Sequence, residues 1–348
     1  MSFNLENIVR ESVKSLKPYS SARDDYKSDG SPMTFLDANE NPFDNQGLNR
    51  YPDPWQRDLK ARLSELKNIQ PKNMLLGNGS DEVLDLIVRA FCEPGKDEII
   101  INPPTYGMYK VIAGINNVNV KEVTLSQNFQ LDIESIGEAV NESSKIIFLC
   151  SPNNPTGNLL DSESIERLLS NFKGLVVIDE AYIDFTEQMS WITRLKEYPN
   201  LIVTQTLSKA MGMAGIRLGM CFASEAIIEI LNKIKPPYNV SGLSQSFALK
   251  GLERKDQIDA NVDQIIKGRQ WLQQKLMDIE FIEKVYPSES NFLLIKVDNA
   301  NKRYKELIAN SIVIRNRSTQ PRCEECLRIT VGTKEENENL INVLKQLR

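Results

Sequence analysis

LIVTQTLSKAMGMAGIRLGM, residues 201–220, opens on an apolar, β-branched run and closes on a second apolar run that begins at Arg217. Between the two stand Thr206, Ser208 and Lys209, then a string of small residues. The first run reads as a buried strand whose end delivers hydroxyls and a lysine to one point. A cation among apolar and small residues needs a partner or a task. Lys209 is either a side chain snorkelling out of a surface turn or an amine whose pKa is depressed by burial and by a neighbouring cation. In the second case it is a usable nucleophile and base.

Outward from this stretch the same texture repeats. NMLLG (73–77), EIII (98–101), VNVKEVTL (118–125), KIIFLC (145–150), LVVID (175–179) and RLGMCF (217–222) are short apolar runs separated by helical patterns such as DEVLDLIVRAF (81–91). Such alternation predicts a mostly parallel sheet covered by helices. After Pro236 and Pro237 the pattern changes to a long helix over about 257–279, the strand-like FIEKVYP and NFLLIKV, a helix near KRYKELIAN, then IVIRNR, CLRITVG and a last helix. The expected organisation is a large α/β domain over 31–240 and a small α+β domain over 241–348. Residues 1–30 are expected to form an arm and helix packing with the small domain.

Composition narrows the chemistry. The 348 residues are 41% hydrophobic and 26% charged, with a formal net charge of −5, which argues against general binding to nucleic acid or an anionic membrane. The first twenty residues carry no long apolar run, so neither a signal peptide nor a membrane span is expected, and a cytoplasmic location is. Five scattered cysteines make no disulfide framework. The spacing Cys323-Glu324-Glu325-Cys326, without a second pair or any histidine, reads as a loop before a strand, and no metal is expected. The count of zero histidines removes Ser-His-Asp and Cys-His triads and the usual general base, so proton transfer falls to Lys, Asp, Glu, Tyr, Cys or a cofactor.

Ligands of open α/β sheets gather at the carboxyl ends of the strands, and four polar clusters fall there. GNGSDE (77–82) lies between a strand and a helix. It is either a capped turn, with Ser80 or Asp81 as cap, or an anion cradle of free backbone N–H groups. A nucleotide phosphate loop is excluded because G-x-x-x-x-G-K-[ST] is absent. SPNNPTGN (151–158) is a heavily specified turn that either shapes the loop or presents an asparagine. In VVIDEAYIDF (176–185), Asp179 ends a strand, where it is either a helix cap or a carboxylate awaiting a cation. With Lys209, these clusters fit pyridoxal phosphate as one ligand: an anion cradle, a lysine nucleophile, and an aspartate for the pyridine nitrogen.

The order NNPTG, DEAY, SKxxGxxGxRxG resembles the fold-type-I, aspartate-aminotransferase-like family of pyridoxal-phosphate enzymes. LDANENPF (36–43), RYPDP (50–54), PPTYGMY (103–109) and CLRITVGT (326–333) resemble, within it, the histidinol-phosphate aminotransferase group. The likeness runs from about Tyr19 to the last helix. It implies that Lys209 anchors the cofactor covalently and then moves the proton between the substrate Cα and the cofactor C4′. It further implies that Asp179 holds the pyridine N–H, Asn154 and Tyr182 the phenolic oxygen, and Tyr106 stacks on the ring. Ser80, Asp81, Thr206, Ser208 and Arg217 would hold the phosphate, joined by Tyr51 from a neighbouring subunit, hence a homodimer with shared sites. Arg315, Arg328, Tyr19 and Asn39 would bind the substrate. The implied reaction passes the amino group of L-histidinol phosphate to 2-oxoglutarate, giving imidazole-acetol phosphate and glutamate, in histidine biosynthesis. The alternatives are an aromatic-amino-acid aminotransferase or a threonine-phosphate decarboxylase-like enzyme of the same fold, and a non-catalytic effector module that only binds the cofactor.

Overall fold

The structure, a computed structural model, describes residues 3–18 and 33–347. The large domain is a seven-stranded sheet of β1 (Met74–Asn78), β2 (Glu98–Ile101), β3 (Asn119–Glu122), β4 (Ser144–Cys150), β5 (Leu175–Asp179), β6 (Leu201–Thr206) and β7 (Leu218–Ala223), in the order β1-β7-β6-β5-β4-β2-β3. Strands β6, β5, β4, β2 and β3 run parallel; β7 pairs antiparallel with both β6 and β1. Around the sheet pack α1 (Glu11–Lys14), α2 (Arg57–Lys67), α3 (Ser80–Phe91), α4 (Met108–Ile115), α5 (Ile133–Ala139), α6 (Ser162–Asn171) and α7 (Glu225–Ile234).

The strands are apolar on both faces because helices cover both. Ile147, Val176, Ile178 and Val203 enter one core with α2 and α6, whereas Ile146, Phe148, Val177 and Ile202 enter another with α3 and α7. That alternation is the period of a strand. It also sends neighbouring residues at a strand end to opposite sides.

Beyond it lie α8 (Gly242–Leu252), α9 (Lys255–Met277), β8 (Ile282–Val285), β9 (Phe292–Val297), α10 (Ala300–Ala309), β10 (Arg315–Asn316), β11 (Cys326–Thr330) and α11 (Lys334–Gln346). The small sheet, ordered β10-β11-β9-β8, is antiparallel throughout. Leu327 and Ile329 of β11 point into the small-domain core with Leu272, Leu293 and Leu340, which sends Cys326 and Arg328 to the other face.

Two expectations need correction. The run IVIRNR pairs over only Arg315 and Asn316. The N-terminal stretch, expected against the small domain, packs on the large one: Ile8, Val9 and Val13 are buried with residues of α3 and α7, and the Arg10 guanidinium donates to the Arg89 carbonyl at 2.9 Å. Its apolar side is completed by the sheet's outer helices, and Lys233 on α7 reaches the Lys14 carbonyl at 3.3 Å. All five cysteines are buried and unpaired. Among the described residues no helix is long and apolar enough to cross a membrane.

Candidate active site

β6 ends at Thr206 and β7 returns beside it, with Thr206 opposite Gly219 and the Leu207 N–H donating to the Leu218 carbonyl at 3.1 Å. The intervening turn therefore brings Lys209 and Arg217 to the carboxyl end of the parallel strands. Thr206 and Ser208 lock together: Thr206 Oγ1 donates to Ser208 Oγ at 3.0 Å and accepts from the Ser208 N–H at 3.1 Å.

Facing this turn is the start of α3. Neither Ser80 nor Asp81 caps it, against expectation; the N-cap is Gly79, at φ +83°, with no side-chain cap. The first N–H groups of the helix are thus left open, where the helix dipole favours an anion. Arg217 closes the cradle, its Nη2 3.7 Å from Asp81 Oδ2. Two glycines make the closeness possible. A Cβ at Gly79 would lie 2.6 Å from Arg217 Nη2, and one at Gly219 would lie 2.3 Å from the Ser80 nitrogen.

Asp179, at the end of β5, is 3% exposed. Its carboxylate accepts from the Tyr109 hydroxyl at 2.8 Å and the Ala181 N–H at 3.2 Å, and among the described residues no basic side chain pairs with it. Burial pushes its carboxyl up to about 6, against the pull of those hydrogen bonds. Among the described residues, no side chain supplies the cation that such a carboxylate calls for. Tyr109 was missed in the sequence. It lies three residues after Tyr106, stacks on Phe148 at 4.9 Å, and meets Tyr106 edge-on at 5.6 Å, while the Tyr106 hydroxyl donates to Asp81 Oδ1 at 3.0 Å. The PPTYGMY spacing was its only signal. Glu180 points away, accepting from the Trp191 N–H at 2.7 Å and Gln205 Nε2 at 2.8 Å.

The loop after β4 divides its two asparagines. Asn153 is structural: its Nδ2 donates to the Pro104 carbonyl at 2.8 Å and to Thr156 Oγ1 at 2.7 Å. Asn154 faces the site, its Nδ2 3.4 Å from the Tyr182 hydroxyl and its Oδ1 accepting from Arg328 Nη1 at 2.5 Å. Arg328 comes from the small domain, so this bond joins the two domains. Lys209 Nζ stands 5.7 Å from the centre of the Tyr182 ring. The Lys209 side chain is solvent-exposed, yet enough protein surrounds its amine for burial to be the chief cause of a lowered pKa. Arg328 is the next cause in size and Arg217 a lesser one, opposed by Asp179. The sequence had pointed to Arg217; the larger charge effect comes from an arginine over a hundred residues away.

Arg315 and Arg328 are direct partners across β10 and β11. Asn39, at φ +54°, and Tyr51 line a groove with Tyr238 and Leu243 whose lining includes none of Lys209, Asp179 or Arg328. Tyr51 stacks on Tyr238 at 4.5 Å. Tyr19 lies outside the described residues.

With this geometry in view, comparison with known proteins is direct. Residues 24–344 match the model of the family "Aminotransferase class I and II". A histidinol-phosphate aminotransferase of Flavobacterium johnsoniae is 61% identical over 346 residues, 99% of each chain. Among solved structures, the histidinol-phosphate aminotransferase of Clostridium acetobutylicum superposes with a TM-score of 0.80 at 25% identity, covering 86% of this chain and 91% of that one. That of Sinorhizobium meliloti, in complex with pyridoxal-5'-phosphate, shares the fold with a TM-score of 0.77 at 24% identity, covering 85% of this chain and 82% of that one. A family match over nearly the whole sequence, on a fold-type-I framework, makes this chain a member of the class I and II aminotransferases, a family of pyridoxal-phosphate-dependent enzymes.

Proposed function

We propose that this enzyme transfers the amino group of L-histidinol phosphate to 2-oxoglutarate, releasing imidazole-acetol phosphate and glutamate. The observation that carries the reading is the Arg328–Asn154 hydrogen bond of 2.5 Å, which holds the Arg328 guanidinium against the large-domain loop beside Tyr182 and Lys209. Full-length identity to enzymes of that name supports it.

The residues present fit pyridoxal phosphate. Gly79 and Gly219 let Arg217 and the start of α3 close on one point, the open start of α3 and Arg217 offer donors to a phosphate, and among the described residues no basic side chain pairs with the buried Asp179. When bound, the cofactor supplies a carbonyl carbon that reacts with amines and a ring that draws electrons from the bond being broken.

The chain does the rest. The backbone N–H groups of Ser80 and Asp81, with Thr206, Ser208 and Arg217, would hold the phosphate, and Tyr106 would stack on the ring. Asp179 would keep the proton on the ring nitrogen, and Asn154 and Tyr182 would orient the phenolic oxygen. With the cofactor in place, Lys209 Nζ would take up the proton from the substrate Cα and carry it to the cofactor C4′. Its lowered pKa provides the neutral amine this needs. Arg315 and Arg328 would grip the substrate's anionic end.

A pair of subunits sharing sites belongs to the same reading. Leu36, Phe43 and Leu243 are exposed, and Leu243 borders the groove that holds Tyr51, an apolar surface suited to a second copy. The expected cytoplasmic setting belongs to it too.

The test is turnover by purified holoenzyme with 2-oxoglutarate and, in turn, histidinol phosphate, phenylalanine and threonine phosphate as donors. A clear preference for the first is expected. No activity with histidinol phosphate would sink the substrate assignment.

A further inference from the structure

One arginine near the substrate end has no assigned task. Arg317 follows β10, its N–H donating to the Cys326 carbonyl at 2.9 Å, which places it two steps along from the Arg315–Arg328 pair, one beyond Asn316–Leu327. Side chains alternate along a strand, so Arg315, Arg317 and Arg328 lie on one face of this hairpin, the face turned from the small-domain core. We propose that Arg317 is a specificity-determining residue: with Arg315 and Arg328 it forms a three-guanidinium site that selects a doubly charged phosphate over a single carboxylate. This deepens the function proposed above and rests on it.

Three observations support the assignment. The Nε atoms of both Arg317 and Arg328 are buried without a hydrogen-bond partner. A buried guanidinium hydrogen lacking an acceptor is costly, so these atoms point to a ligand that supplies acceptors. Next, among the described residues none of the three arginines pairs with a carboxylate, and Asn154 Oδ1, bonded to Arg328, is the only side-chain acceptor any of them meets. Finally, the charges are close enough to feel one another. Arg328 holds its proton less firmly chiefly through burial and then through Arg317, and Arg317 through burial and then Arg315. The Tyr182 phenol is felt by both, which puts Arg317 at the same corner as Asn154.

The charge count then separates the two substrates that the reaction must accept. A carboxylate has two oxygens and one charge, enough for one fork, that of Arg328. A phosphate dianion has three free oxygens and two charges, and can satisfy further guanidinium donors. Arg317 is surplus for glutamate and engaged by the phosphorylated donor.

The experiment uses holoenzyme carrying Arg317→Gln and Arg317→Lys. For Arg317→Gln, kcat/KM should fall about tenfold or more for histidinol phosphate and less than about threefold for glutamate. Inhibition by inorganic phosphate, competing with histidinol phosphate, should weaken by about the same tenfold. Arg317→Lys, which keeps the charge and loses the fork, should fall between. Bound cofactor and the urea unfolding midpoint report whether each variant is intact; if Arg317→Gln does not fold, Arg317→Lys must show the same split. Equal losses on both substrates, or no loss on either, would overturn the proposal. If native enzyme ignores histidinol phosphate altogether, the proposed function has failed instead, and unchanged phosphate inhibition in Arg317→Gln would then overturn this inference separately.

Discussion

Replacing Tyr109 with Phe removes one oxygen from the site and leaves its packing, since the ring contacts with Phe148 and Tyr106 do not involve the hydroxyl. Asp179 loses the shorter of its two donors, the one at 2.8 Å, and keeps the Ala181 N–H. A hydrogen bond to a charged group contributes about 1.5–3 kcal/mol. At about 1.4 kcal/mol per pKa unit, its loss raises the Asp179 carboxyl by about one to two units. The native carboxyl already stands at about 6. In the variant it therefore titrates near or above neutrality and is protonated over a wider range. A protonated Asp179 offers no charge to the ring nitrogen, so cofactor binding weakens as pH falls through the raised value. The assay is a fluorescence titration of apoprotein with pyridoxal phosphate from pH 5.5 to 9. Native protein should lose affinity below about pH 6, and the variant one to two units higher, giving about two- to tenfold weaker binding at pH 7. Two curves with the same midpoint would refute the reasoning, provided the variant unfolds in urea like the native protein.

Three further outcomes are expected. Lys209→Ala should cut turnover by about a hundred- to ten-thousand-fold and abolish the visible absorbance band that borohydride bleaches, measured on purified protein. Arg328→Gln should raise KM for histidinol phosphate about tenfold to a hundredfold while cofactor stays bound; removing that cation should also raise the Lys209 pKa, so the rate of apoprotein reconstitution should need higher pH to reach its plateau. Loss of cofactor from this variant would mean that Arg328 is misplaced. Gly219→Ala should destabilise the apoprotein by about 1–3 kcal/mol, read from urea unfolding, because its Cβ meets backbone 2.3 Å away rather than a flexible side chain; an unchanged midpoint would count against the tight cradle.

The sequence carried the strand ends well because each is a chemical discontinuity: an apolar run stops and a polar residue follows, as at Asp179 and Lys209. Chain-local neighbours were equally legible: Thr206 and Ser208, read together in the sequence, hydrogen-bond to each other. What it could not carry was distance through space. Tyr109 donates to a carboxylate 70 residues away, and Arg328 reaches an asparagine 174 residues away. No period or motif spacing encodes such pairs. The helix cap failed for a different reason: Ser80 has the right chemistry, but Gly79 takes the left-handed backbone and the N-cap position, pushing the serine into the helix. The N-terminal arm was misplaced because an amphipathic stretch states that it has an apolar side without stating what covers it.

The Arg328–Asn154 bond has a consequence beyond positioning. One amide side chain serves two clients, the small-domain guanidinium at its oxygen and Tyr182 at its nitrogen. An anion that draws Arg328 away changes how firmly Asn154 is held, and a ring that draws on Asn154 changes how freely Arg328 can turn. Thermodynamic reciprocity then fixes a number in both directions: the factor by which a bound anion alters affinity for the cofactor is the factor by which the cofactor alters affinity for the anion. Retention of the cofactor and recognition of the substrate are in this sense a single ledger, written across the gap between two domains.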